Sequence, residues 1–445
     1  IRGDNVAAIP LLRQAIGLDP NFAMAFVTLG ACYNNLGQTE RAVENTRRAY
    51  ELRERVSQRE KFFIISYYET NATGNLEAAR KELGLWAQAY PRDFAAPRQL
   101  SNVSNFLGDY QNALAAAQQV LRLDPGNGAA YCGLSINYLA LNRLDEARAT
   151  AREAHNLGAP MADYYLYYID FLQHDAAGME RDVATLMRKP GYEDLALGME
   201  SDTAAYAGKF ARARELTRRA AASAERADEP EPAANYLAEA ALRDALVGNL
   251  GLAMRQAQAG LALSNGRDVE AMSAMALALV GDSNQARRLA SDLAKRFPED
   301  TLAQIEYLPM IQACTGLGIG HGADGASKAI AALAVAARYE LGVTNGAVLW
   351  QFNAPYLRGE AYLAARQGTA AAVEFRKILD HPGMFTTDIT AALARLDLGR
   401  AYALVGDNAK ARTAYQDFLA LWKDADPDIP VLNHAKAEYA KLAGP

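Results

Sequence analysis

Cysteine is scarce in this sequence: Cys32, Cys132 and Cys314 are the only three among 445 residues, far apart and in no C-x-x-C spacing. That pattern excludes a disulfide framework and a zinc knuckle, and reads as three small buried hydrophobes. The five histidines, His155, His174, His321, His381 and His434, never fall at metal-ligand spacing, and H-E-x-x-H is absent; no metal is expected. G-x-S-x-G and the P-loop pattern are missing as well, Gly208-Lys209 having Thr203 where the leading glycine would stand. These absences leave no residue with a catalytic assignment, and no cofactor is expected. Valine, isoleucine and threonine are sparse, which argues against sheet. No apolar run approaches the roughly 18 residues of a membrane span, so no direct membrane insertion by this segment is expected.

A charge excess of one sign is lacking too. The 46 basic and 52 acidic residues give a net charge of −6 and are well mixed. A nucleic-acid partner needs a dense basic face to neutralise phosphates, and none is expected here. The most basic stretch, Lys209 to Arg226, is interrupted by Glu215 and Glu225 and reads as a solvated helix face.

What is abundant is alanine, arranged in a repeat. Gly, Ala five residues later and Pro twelve after that recur as Gly3/Ala8/Pro20, Gly74/Ala79/Pro91, Gly108/Ala113/Pro125 and Gly281/Ala286/Pro298. Partial copies are Gly37/Ala42, Asn142/Ala147, Gly208/Ala213, Gly248/Ala253 and Gly406/Ala411. Each column has a cause. The glycine ends one helix in the left-handed region that Gly and Asn enter cheaply. The alanine sits where the second helix presses on the first. The proline stops the second helix. A second set of columns, Gly30 before Tyr33, Ser135 before Tyr138, Gly359 before Tyr362 and Gly399 before Tyr402, puts a small residue and an aromatic three apart on one face of the first helix.

These columns resemble the tetratricopeptide-repeat (TPR) motif, W-x2-L-G-x2-Y…A…F…P, over nearly the whole chain, least from Ala162 to Pro190 and from Leu302 to Asn353. The resemblance implies an all-α, right-handed α-α superhelix of about eleven helix pairs with a C-terminal capping helix. The expected organisation is the second helix of a truncated upstream repeat over 1–21, a regular TPR array over 22–160, a degenerate TPR-like middle over 161–232, a further TPR-like array over 233–427 with a Gly-rich loop at 316–325, and the capping helix over 428–445. Starting inside a pair, at Ile1 rather than Met, the sequence is expected to continue upstream.

Four stretches are more particular: Val56-Ser57-Gln58-Arg59-Glu60-Lys61-Phe62, Leu85 to Asp93 (LWAQAYPRD), Lys377 to Gly383 (KILDHPG) and Leu421 to Pro430 (LWKDADPDIP). Together they resemble the C-terminal TPR region of large serine/threonine protein kinases of acidobacterial type. That resemblance implies an N-terminal kinase domain elsewhere in a parent protein, and a place for this soluble segment in the cytoplasm or outside it, next to a membrane span. The kinase motifs themselves, H-R-D and D-F-G, do not occur here.

Gly320 to Gly325 formally matches G-x-G-x-x-G, but a dinucleotide site needs a strand before it and helix is expected there, so it reads as an inter-helix loop. In a TPR array the first helices line the concave groove. Mapped onto this sequence, that face carries Asn34, Asn35, Tyr68, Asn71, Arg98, Asn102, Asn105, Asp170, His174, Asp202 and Tyr206. Asn34, Asn71 and Asn105 share one repeat position, where amides can pair with the backbone of an extended peptide or simply end a helix. Arg98 can take a carboxylate in bidentate fashion. The expected partner is a protein or peptide. The alternative is a small molecule or glycan held by Tyr164, Tyr165, Tyr167 and Tyr168, which cannot all point inward on a helix. Packing of the aromatic column gives a first test: Tyr138→Ala is expected to cost about 3–5 kcal/mol in a denaturant melt, as for large aromatic truncations in cores.

Overall fold

The computed structural model describes residues 2–318, 322–343 and 354–443. Among them are twenty-five α-helices and no strand, and the expected all-α class is the one observed. The chain divides into two compact units.

Unit 1 comprises Ile1–Ala196 with the segments Phe297–Leu302 and Leu341–Trp350. In it α1 (Arg2–Leu18) precedes α2 (Ala23–Asn35) with α3 (Thr39–Glu51), α4 (Gln58–Tyr68) with α5 (Leu76–Ala89), α6 (Ala95–Phe106) with α7 (Tyr110–Leu123), α8 (Gly128–Ala140) with α9 (Leu144–Asn156), and α10 (Ala162–Leu172) with α11 (Ala176–Arg188). The boundary falls inside α12 (Glu193–Tyr206), which pairs with α13 (Phe210–Arg226). The other pairs are α14 (Pro230–Leu246) with α15 (Leu250–Leu263), α16 (Arg267–Leu279) with α17 (Ser283–Arg296), α18 (Leu308–Leu317) with α19 (Gly322–Leu333), α20 (Ala354–Ala364) with α21 (Gly368–Leu379), and, after the short α22 (Pro382–Phe385), α23 (Ile389–Leu404) with α24 (Asn408–Leu421). The last helix is α25 (Pro430–Ala443). Eleven pairs are thus described.

One contact recurs inside the pairs. The small residue of the first helix meets the backbone carbonyl of the alanine twelve residues on. Ser101 Oγ donates to Ala113 O at 2.9 Å, Ser135 Oγ to Ala147 O at 3.0 Å and Ser201 Oγ to Ala213 O at 2.9 Å. Where the small residue is glycine, a Cβ at Gly30 would stand 2.5 Å from Thr46 Oγ1 and 3.0 Å from Ala42 O. The helices therefore approach to backbone distance, and the alanine column (Ala42, Ala79, Ala113, Ala147, Ala213, Ala253, Ala286, Ala411) lies buried at 3% exposure or less. The second pair departs from this. Twelve before Ala79 stands Tyr67, too large for the seat; fully buried Ser66 stands one residue earlier, and α4 runs into a π-helical turn, Glu69–Thr73, that accommodates the extra residue.

The turns inside the pairs are left-handed as their glycines require, at Gly74 (φ 69°) and Gly208 (φ 75°) among others. Asn142 (57°), His174 (58°) and Arg366 (59°) fill the same turn without glycine. Two of the glycines have a second reason that no local pattern signals. In unit 1, Thr301 N donates to Gly74 O at 3.0 Å and Leu76 N to Thr301 Oγ1 at 3.1 Å, and a Cβ on Gly74 would collide with the Asp300 carboxylate. In unit 2, the stretch after α24 clips onto the α12–α13 turn. Trp422 Nε1 donates to Tyr206 O at 2.9 Å, Asp426 N to Gly208 O at 3.0 Å, and Ala211 N to Asp426 Oδ2 at 2.7 Å. Val431 N then reaches Val247 O at 3.2 Å.

Residues 421–430 are thus more than a break before a cap. The cap itself is pinned by Glu438, which accepts two bonds from Arg400 at 2.9 and 3.0 Å and one from Tyr415 Oη at 2.8 Å; Lys436 and Lys441 face solvent. The four tyrosines of α10 pack on one another edge to face: Tyr164 and Tyr167 are buried, Tyr165 and Tyr168 half-buried. Helix α18 precedes the G-x-G-x-x-G match, of which Gly320 and His321 lie outside the described residues.

Tyr138 is half-buried, with Arg143 over its ring at 4.6 Å, so the sequence-based cost of Tyr138→Ala is too high; about 2 kcal/mol fits a side chain that keeps part of its surface wet. The clip yields a sharper test. Gly208 and Gly406 (φ 81°) are both left-handed, but a Cβ on Gly406 meets open space, whereas one on Gly208 stands 2.5 Å from Ala425 Cβ and 2.9 Å from the Trp422 ring. In urea melts Gly406→Ala should cost about 1 kcal/mol and Gly208→Ala about 3 kcal/mol. Equal losses would mean that the clip does not bear on the turn.

Candidate functional site

In unit 1 the first helices of neighbouring pairs touch, α2 with α4, α6 with α8 and α8 with α10, which places them on the inner side of the unit. The candidate residues on this side differ in what they have left to offer. Asn34 is half-buried, and Asn35 is exposed with its Nδ2 3.4 Å from Asn5 Oδ1. Tyr68 stacks on Tyr50 with ring centroids 3.9 Å apart, so its face is used by α3. Asn71 lies in the π turn and donates to Tyr67 O at 3.0 Å. Asn105 is buried, and its Oδ1 has no hydrogen-bond partner among the described residues. The three asparagines of one repeat position are therefore in three different environments: half-buried, bonded to its own helix, and buried.

Arg98 is the exception. Its side chain is exposed on α6 and makes no hydrogen bond or ion pair among the described residues. Crowding nonetheless pulls its pKa below the ordinary arginine range, opposed by Tyr67 nearby. A guanidinium that water reaches but protein surrounds, with no counter-charge, stands ready for an anion. Exposed Asn102 lies one helical turn away. Next to them, Gln99 is buried, with Oε1 3.4 Å from Ser66 Oγ and Nε2 without a partner among the described residues.

The acidic candidates are already engaged. Asp170 is buried in an ion pair with Arg148. Asp202 and Tyr206 belong to unit 2, where Asp202 pairs with Arg243 and Arg395 lies over the Tyr206 ring at 5.8 Å. His174 sits in the α10–α11 turn. Another buried charge of unit 2, Arg358, is neutralised in the same internal way, binding Glu340 at 2.5 Å and Glu374 at 2.7 Å.

Sequence reasoning missed Tyr67 and Gln99. For Tyr67 a signal existed, a large residue where the repeat wants a small one. The cysteines are all buried, and burial pushes the Cys132 thiol up to about 12, so it is no nucleophile at neutral pH. Among the described residues no group of three His, Cys, Asp or Glu could hold a metal ion. Among them, too, no helix is long and apolar enough to cross a membrane.

A family model described as tetratricopeptide repeat matches residues 107–157, from the end of α6 through α9. No curated protein matches the chain. Among solved structures it is similar to MamA, at 22% identity over 36% of this chain and 93% of that one with a TM-score of 0.25. It is also similar to the TPR domain of P58(IPK), at 12% identity over 87% and 98% of the two chains with a TM-score of 0.22. The fold is a TPR-type α solenoid.

The engaged acids generate a pH test. Asp182 of α11 is buried beside Asp170, and burial, then the Asp170 and Asp163 charges, raise its pKa to about 7. A carboxyl raised above its unfolded value stabilises the fold fully below the unfolded pKa, near 4, and that contribution is lost as pH climbs through about 7. Asp182→Asn should therefore melt like wild type at about pH 4 and be more stable by about 1–3 kcal/mol at pH 8, the gain opening across this window.

Proposed function

We propose that this chain is a non-catalytic protein-interaction scaffold whose first unit docks an extended peptide or protein segment on its inner helices. The observation that carries this reading is Arg98, an accessible guanidinium without a counter-charge among the described residues. Its burial-lowered pKa means that a carboxylate placed there would offset a desolvation cost the site already bears. Exposed Asn102 supplies an amide donor and acceptor for a peptide backbone. Tyr67, on α4 just before the π turn, lies near Arg98 and adds a phenol group there. The tyrosines of α10 are taken up largely by mutual packing, which favours protein docking over a glycan platform.

The parent context we propose is the docking or regulatory region of a larger bacterial serine/threonine kinase. It rests on the four stretches quoted above. A reading frame upstream of Ile1 that encodes no kinase domain would remove it.

The groove reading is tested by affinity capture from the native lysate with wild type and with Arg98→Ala plus Asn102→Ala. Loss of an identified partner, by about tenfold or more in the captured amount, is expected. The same partners at the same level would move docking to another face.

A further inference from the structure

The turn between α5 and α6 is built around one carboxylate. Asp93 Oδ2 accepts from Arg59 Nε at 2.6 Å and from Trp86 Nε1 at 3.1 Å, and Oδ1 accepts from Ala95 N at 3.0 Å. Arg59 comes from α4, and Trp86 is fully buried in α5, so the turn is tied to both helices of the preceding pair. Tyr90 is held as well, edge-on to Phe62 with centroids 6.3 Å apart. The frame is thus set before anything binds.

Beside it lies an open cavity of ≈ 540 Å³ walled by Arg59, Tyr90, Pro91, Arg92, Asp93 and Phe94. That size is within the roughly 300–1,000 Å³ of small-ligand sites. Its walls are of two kinds. Tyr90, Pro91 and Phe94 offer flat apolar surface, Phe94 being 40% exposed. Arg59 spends only Nε on Asp93, leaving both terminal nitrogens, and exposed Arg92 has no hydrogen bond or ion pair among the described residues. Two guanidiniums, Arg59 and Arg92, thus line the cavity with one carboxylate, Asp93, which already accepts three hydrogen bonds, while the Glu60 charge that also acts on Arg59 is held by Ser57 in the α4 capping box. Among the lining residues two positive charges stand against one negative, and the surface around them is aromatic.

We infer that this turn is a second binding site, for a carboxylate carried on an aromatic group. The ring lies against Tyr90, Pro91 and Phe94, and the acid takes the free edge of Arg92 and the terminal nitrogens of Arg59. A free aromatic acid and the C-terminal aromatic residue of a peptide share this chemistry. The inference does not depend on the Arg98 face.

The test is ligand-observed NMR and calorimetric titration on the full chain with 3-phenylpropionate, with the peptide acetyl-Ala-Ala-Phe as free acid, and with its amide. Saturable binding of at least one acid is expected, with the amide weaker by about tenfold or more, and with a similar loss in Arg92→Gln and Phe94→Ala. Both substituted side chains are exposed, and an unchanged thermal melt shows that the fold is kept. Arg98→Ala should leave this binding alone. Preference for 3-phenylpropionate assigns a free acid, and preference for the peptide a chain terminus; either supports the site. No saturable binding of either acid to wild type overturns it. So does binding that survives in Arg92→Gln, or that is lost instead in Arg98→Ala.

Discussion

The array leans on one recurring close contact, the small residue of a first helix against the carbonyl of the alanine twelve residues later. With serine in that seat the contact is a hydrogen bond, at Ser101, Ser135 and Ser201; with glycine it is bare van der Waals approach, at Gly30. Either way two helices meet at backbone distance, a geometry that a larger side chain at either column would open. Once the pairs are this thin, neighbouring first helices can touch, and an inner side exists to carry Arg98. Tyr67 shows the constraint from the other direction. A large residue has entered the column, the serine-to-carbonyl bond is missing from this pair, buried Ser66 bonds to Phe63 O and Gln99 instead, and α4 ends in a π turn.

A second constraint works over long sequence distances. Turns that would be free in a simple row of repeats are covered: Gly74 by Asp300 and Thr301, Gly208 by Trp422 and Asp426. These covers satisfy backbone groups that would otherwise rely on water, and they seat the indole of Trp422 where its N–H finds a carbonyl. The distinctive stretches noted in the sequence acquire physical roles in this light. Ser57 and Glu60 form a capping box at the start of α4, Trp86 and Asp93 build the α5–α6 turn, Lys377 closes the Glu340–Arg358–Glu374 network, and Trp422 to Pro430 is the clip.

Charge is handled unevenly, and that unevenness separates structure from function. Asp170, Asp202 and Arg358 are neutralised inside the protein and behave as parts of its frame. Arg98 and Arg92 are accessible without a partner among the described residues. An unmatched guanidinium in a shaped surface is a cost to the isolated molecule and a gain on binding, which is why both proposals rest on these residues.

The amino-acid sequence by itself determined the helix pairs and their turns. The glycine, alanine and proline columns act through local backbone geometry and through contacts within about 34 residues, so the repeat spacing carries them. It also marked Arg98 as a candidate. Only the tertiary structure decided which candidates remain available. Asp170, Asp202, Tyr68 and Asn105 occupy positions that repeat logic assigns to the inner face, yet each is engaged or buried by a neighbour whose identity no periodicity encodes. The covering of Gly74 and Gly208 was invisible for the same reason. Each joins residues more than 200 positions apart, and a contact of that range leaves no trace in a local pattern because its partner is chosen by the accumulated geometry of the helices between.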